Sequence, residues 1–196
     1  MNILVWSGSL LALITYFPLW YQIKVGKTEQ NRLTWGLWAA LDIIATLTIV
    51  IQKGNFLLPV AYVIGSIVTV YFISRTGKKA TWTWFETMVT VLVIICMIIW
   101  CLVNSRAATI ASSSALLIAG IPQLVDAWKR PQEMPFLVYA SYVIANGLST
   151  AGGKNWSIEE RFYPATATIL CFLFIVVIFV RKYWLKQRDS WPITNT

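Results

Sequence analysis

Trp35, Trp38, Asp42 and Thr46 stand at helical spacing inside an apolar stretch, and 104 residues further on the same spacing carries Tyr139, Tyr142, Asn146 and Thr150. At about 100° per residue each set covers roughly 80° of helix circumference, so each helix presents one aromatic and polar stripe. The chemistry available to such a stripe is recognition. Aromatic faces stack on rings or enclose cations, amides and hydroxyls hydrogen-bond, and a carboxylate pairs with an ammonium group or carries a proton. Asp42 is the only acidic residue well inside an apolar stretch. A carboxylate at bilayer depth is costly when unpaired, so Asp42 is expected to face the bundle interior or water and to act as a solute or proton site. Its counterpart Asn146 keeps hydrogen bonding without the charge. A duplicated stripe with an acid in one copy and an amide in the other points to a binding cavity between two related helix bundles.

Within the stripes, Trp38 and Tyr142 adjoin Asp42 and Asn146 at a spacing of four residues and are the aromatic residues expected to flank a solute. Trp35 and Tyr139 lie within a turn of the helix ends, where Trp and Tyr also serve as interfacial anchors, and that anchoring role is the expectation for them. Thr46 and Thr150, one turn beyond the acid and the amide, suit either solute binding or a bond back to their own helix. No enzyme constellation is visible. The chain contains no His, its three Cys (Cys96, Cys101, Cys171) sit inside apolar stretches without a CxxC, and Gly152-Gly153 is too short a signal for a phosphate loop. No cofactor or metal site is therefore expected.

The elements that must position these residues are membrane helices. Of 196 residues, 58% are hydrophobic and only 12% charged, against about 25% charged in soluble domains. Apolar runs long enough to span fall near 2–20, 33–52, 56–74, 86–104, 107–127, 135–153 and 162–181. The net charge of +8 is not a nucleic-acid signal, because its distribution follows the spans. Lys24, Lys27, Arg32, Arg75, Lys78, Lys79, Lys129, Arg130, Arg181, Lys182, Lys186 and Arg188 share one side, and Lys53, Arg106, Lys154 and Arg161 lie on the other. The positive-inside rule makes the richer side cytoplasmic, with the N-terminus outside and the C-terminus inside. No Lys or Arg precedes Lys24, so the first run lacks the basic start of a cleavable signal and is expected to remain as a span. Short loops suit a bacterial inner membrane.

The repeat extends beyond the stripe. Offset 104 also aligns Ser9 with Ser113, Leu13 with Leu117, Ile14 with Ile118, Pro18 with Pro122, Glu29 with Glu133 and Leu33 with Leu137, and offset 105 aligns Pro59 with Pro164. The fold expected is all-α, with seven transmembrane helices in a 3+1+3 order. A first three-helix repeat occupies 1–85, a connector helix 86–104, a second repeat 105–185 and a polar tail 186–196. Because three spans reverse direction, the added connector restores the same orientation, and the two repeats are expected to be parallel. Pro18 and Pro122 fall near the cytoplasmic ends of the first and fifth spans, where a lost backbone bond hinges or ends a helix. Glu86, beside a basic loop, reads as an interfacial charge that snorkels to water.

This arrangement, with a Pro motif ending the first helix of each repeat, resembles the SWEET and PQ-loop clan. The second repeat carries Gly120-Ile121-Pro122-Gln123, a Pro-Gln pair before a basic loop, and the first carries Tyr16-Phe17-Pro18-Leu19 in its place. The resemblance implies alternating access, with a small-molecule solute held between two three-helix bundles in a lipid bilayer. Members move sugars, or amino acids with protons, and a related fold serves vitamin carriers of the nucleoside type and a sorting-signal receptor. Sugar-carrying members place an Asn in the third helix of each repeat, whereas 59–74 and 164–180 contain none. Asp42 favours an amino acid over a sugar and is the candidate for proton coupling. A non-transporting receptor and a nucleoside-type carrier are the alternatives, and the sequence leaves the oligomeric state open.

Overall fold

The structure is a computed structural model that describes residues 2–28, 30–76, 82–132 and 134–189. Glu29, Glu133, Lys78, Lys79 and the tail 190–196 therefore lie outside the described residues, as does the aligned pair that the two glutamates form. The described chain is all-helical: α1 (Ile3–Lys24), α2 (Arg32–Ile51), α3 (Leu57–Arg75), α4 (Trp84–Leu102), α5 (Ser105–Ala119), α6 (Ile121–Lys129), α7 (Phe136–Ala151) and α8 (Ile158–Asp189). Polar side chains mark several starts. The carboxamide oxygens of Asn2, Asn31 and Asn104 accept from the backbone N–H groups of Leu4, Leu33 and Ala107 at 3.2, 3.0 and 2.8 Å. Thr83 and Glu86 form a reciprocal capping box that opens α4.

Six helices are long and apolar enough to cross a bilayer, with Ser105–Lys129 counted as one run, and α7 is apolar but shorter at 16 residues. Their outer faces are apolar. On α1, Leu10, Ile14, Phe17 and Tyr21 recur every three or four residues and are each at least half exposed. On α4 only Glu86, Val89 and Cys96 are buried. Apolar surface on this scale has lipid as its natural solvent, and the chain is an integral membrane protein.

The fifth expected span, 107–127, is in fact two helices. Pro122 has no N–H to bond to the preceding turn, and α5 stops at Ala119, with Gly120 as the junction and α6 starting at Ile121. Pro18, by contrast, lies inside an unbroken α1. The last span runs on past 181 to Asp189, so residues 186–189 are helical rather than part of a frayed tail. At about 1.5 Å per residue its 32 residues exceed the ~30 Å hydrocarbon core, and the C-terminal turns project beyond it. There Arg181 donates to the Trp128 carbonyl at 3.1 Å and lies 5.0 Å over the Trp128 ring, which ties α8 to α6.

Glu86 also departs from expectation, being 2% exposed rather than snorkelling. One carboxylate oxygen accepts from Asn31 Nδ2 at 2.9 Å and Thr34 Oγ1 at 3.0 Å, and the other from the Thr83 N–H at 2.8 Å and the Thr83 hydroxyl. Four donors compensate its burial and pin the start of α4 to the start of α2.

The packing order is regular. α3 packs against both α1 and α2, and α8 packs against both α5 and α7. α1 then meets α7, α2 meets α5, and α4 lies against α2 and α5.

Candidate functional site

A cavity of about 80 Å³ opens where these helices converge, bounded by residues of α1, α2, α3, α5, α6, α7 and α8. It has room for several waters or the head of a small solute. Positions separated by the repeat offsets line it together: at 104 residues Leu19 with Gln123, Trp35 with Tyr139 and Trp38 with Tyr142, and at 105 residues Tyr62 with Ala167 and Ser66 with Cys171.

Asp42 lines the cavity and is 4% exposed. Its Oδ1 accepts from the Tyr163 hydroxyl of α8 at 2.7 Å, which is the only hydrogen bond to its carboxylate among the described residues. Asn146 sits at the corresponding depth but is fully buried and outside the lining. Its Oδ1 accepts from the Tyr62 hydroxyl at 2.9 Å, and its Nδ2 donates to Cys171 Sγ at 3.7 Å. Each stripe residue thus receives a tyrosine hydroxyl from across the bundle: α2 from α8, and α7 from α3. Asp42 keeps an oxygen for a further donor, while the amide of Asn146 is held behind Tyr62.

The two threonines behave alike. Thr46 donates to the Asp42 carbonyl at 2.7 Å and Thr150 to the Asn146 carbonyl at 2.8 Å, each bonding back one turn, and neither lines the cavity. Trp38 lines it and donates from Nε1 to the Ala119 carbonyl at 3.1 Å. That carbonyl sits at the broken end of α5, where the last turn has lost helical donors, so the indole supplies a substitute. Tyr142 occupies the corresponding place on α7, but its hydroxyl is buried and makes no hydrogen bond of good geometry among the described residues. A buried hydroxyl without a hydrogen bond of good geometry costs about 1–3 kcal/mol, and Tyr142 carries it in the cavity wall beside Tyr16.

Trp35 and Tyr139, expected as interfacial anchors, are 6% and 8% exposed and line the cavity instead. Trp35 Nε1 donates to Gln30 Oε1 at 3.0 Å, and Tyr139 is bonded by Gln123 Nε2. Satisfied polar tips allow both rings to turn inward.

Sequence reasoning missed Tyr16, Tyr62 and Tyr163. Ring centroids lie 5.5 Å apart for Tyr16 and Tyr142, 5.6 Å for Tyr62 and Tyr142, and 6.3 Å for Tyr62 and Tyr163, so these rings form one connected wall. Tyr16 fits because Gly65 on α3 has no side chain: a Cβ there would run into the Tyr16 ring. The corresponding pair reverses the sizes, since Gly120 at the α5–α6 junction has no room for a Cβ against Leu170 on α8. Tyr16 and Gly120 are 104 residues apart, and Gly65 and Leu170 are 105 apart. For Tyr16 the available signal was depth, because a tyrosine well inside a span needs a partner for its hydroxyl and so belongs inside, whereas Tyr62 and Tyr163 lie within two turns of their helix starts.

No group of three or more metal-ligating side chains occurs among the described residues. The arrangement suits binding: one carboxylate, a ring of aromatic faces and an unpartnered hydroxyl. No family model, curated protein or solved structure matches the chain.

Proposed function

We propose that the chain is an alternating-access carrier for a small polar solute, built as two parallel three-helix bundles joined by α4, as in the SWEET and PQ-loop clan. The observation that carries this reading is that the central cavity is lined by five pairs of repeat-matched positions, three at an offset of 104 residues and two at 105. The packing order supports it too: exchanging α1, α2 and α3 with α5, α7 and α8 maps the α1–α7 contact onto the α5–α2 contact. In each set the third helix packs against the other two, and the Tyr16–Gly65 and Gly120–Leu170 pairs occupy matching places with their sizes exchanged.

Asp42 receives the ammonium group of the solute or a coupling proton, Trp38 and Tyr142 flank it, and an amine-bearing solute, the class to which amino acids belong, is favoured over a sugar. Asn146 holds Tyr62 in the cavity wall and so acts on the solute through that ring. Pro122 marks the break at which the fifth span can bend. The basic loops face the cytoplasm, with the N-terminus outside, in a bacterial inner membrane.

The test is solute flux into proteoliposomes. We predict that Asp42→Asn, which preserves shape and removes charge, lowers uptake of accepted solutes by about tenfold or more. Wild-type rates and pH dependence for every accepted solute would remove Asp42 from the mechanism. Saturable binding without flux would identify a receptor instead.

A further inference from the structure

We infer that the cavity selects an organic monocation, a protonated amine or quaternary ammonium, that carries no carboxylate of its own. This deepens the proposed function and rests on its assignment of the cavity as the solute site. Among the described lining residues Asp42 is the only one with a carboxyl group, and no Lys or Arg is present. Asp42 accepts one hydrogen bond, from Tyr163, and the aromatic faces of Tyr16, Trp38 and Tyr142 border the same space. A carboxylate beside aromatic faces attracts a cation twice over, by direct charge and by the ring quadrupoles.

A zwitterionic amino acid would satisfy Asp42 with its ammonium group but bring a second carboxylate into the same small space. The remaining lining groups answer it poorly. Gln123 Nε2 gives one of its two N–H groups to Tyr139, the Tyr62 hydroxyl donates to Asn146 and the Tyr163 hydroxyl to Asp42, and the other lining donors, the hydroxyls of Tyr16 and Ser66 among them, are neutral groups without a counter-charge to offer. The buried Tyr142 hydroxyl is unpartnered, but it is a neutral group. It matches a neutral acceptor such as an amide carbonyl or hydroxyl better than an anion that needs a counter-charge. A buried charge with no counter-charge is strongly disfavoured, so the balance of the site excludes the carboxylate.

Alanine and alaninamide test this directly, because they share size and shape while only the amide is a net cation. Binding to purified wild-type protein is read by thermal shift, and flux in proteoliposomes is read separately. The expected result is that alaninamide binds more tightly than alanine, on the order of a hundredfold, and that Asp42→Asn abolishes the difference. Ethylammonium, which lacks any carbonyl, should bind more weakly than alaninamide but still compete with it. Equal or tighter binding of alanine overturns the proposal, as does failure of both cations to bind the wild type. The wild-type comparison stands even if the variant does not fold. Uptake of alanine with no cation binding would sink the inference and leave the carrier, whereas cation binding without flux would sink the carrier and leave the inference.

Discussion

The two seams where the proposed bundles meet differ at matching positions. Along α1 and α7 the contact is tight and apolar: a Cβ at Gly8 would collide with the Ala145 carbonyl, and one at Gly152 would crowd Leu4 and Val5. Along α2 and α5 it is polar, with Thr109 donating to Thr48 at 2.9 Å, Gln52 Nε2 donating to Thr109 at 2.8 Å, and Trp38 donating to the end of α5. Val5 matches Thr109 and Gly152 matches Thr48 at the 104-residue offset, so one contact is built twice in two chemistries. Backbones in van der Waals contact resist separation because nothing replaces the lost packing, whereas hydrogen bonds at a helix end can be exchanged for water. The α1–α7 seam therefore suits a pivot and the α2–α5 seam suits an opening edge.

Three substitutions break or sharpen this contrast. The largest effect is expected at Gly8. Gly8→Leu should push α7 off α1 and cost about 3 kcal/mol or more, seen as a lowered melting temperature or loss of the monodisperse detergent-solubilised protein. A stable Gly8→Leu protein would show that the seam is loose. Gly65→Leu should be nearly as damaging, because it drives a side chain into Tyr16. Adding Tyr16→Gly, which copies the packing of Gly120 and Leu170, should recover a large part of the lost stability. Failure of the double variant to exceed the single one would count against the two pairs being equivalent. The smallest effect belongs to Thr109→Val. Interhelical hydrogen bonds in membranes average about 0.6 kcal/mol, so its melting temperature should fall little. Its rate of solute exchange should rise if this edge opens, and an unchanged rate would assign the opening elsewhere.

Much of the architecture was legible from the sequence because lipid imposes a length rule: about 20 apolar residues cross a bilayer, and six helical runs among the described residues obey it, α7 being shorter. The break at Gly120 was legible through Pro122, whose missing N–H marks a hinge or helix end, although hydropathy alone reads 107–127 as one span. Of the site, Trp38, Asp42 and Tyr142 were readable because a repeated stripe separates inward positions from lipid-facing ones. Asn146 was correctly placed on an interior face, but its shielding by Tyr62 depends on a contact across 84 residues. Glu86 illustrates the same limit. Its donors Asn31 and Thr34 are 55 and 52 residues away, and without them a carboxylate beside a basic loop reads as solvated. Tyr163 was obscured because tyrosine near a helix start is commonly an interfacial anchor, and only its bond to Asp42 distinguishes it.

The pairing of one acid with one amide also bears on the stoichiometry of assembly. Two copies of the first bundle alone would set a pair of Asp42 side chains across a single chamber, where like charges at short range resist joint ionisation. Two copies of the second would supply a pair of amides and no charge. Under the proposed two-bundle architecture, covalent fusion of unlike halves removes both outcomes and holds the chamber at one ionisable carboxylate per chain.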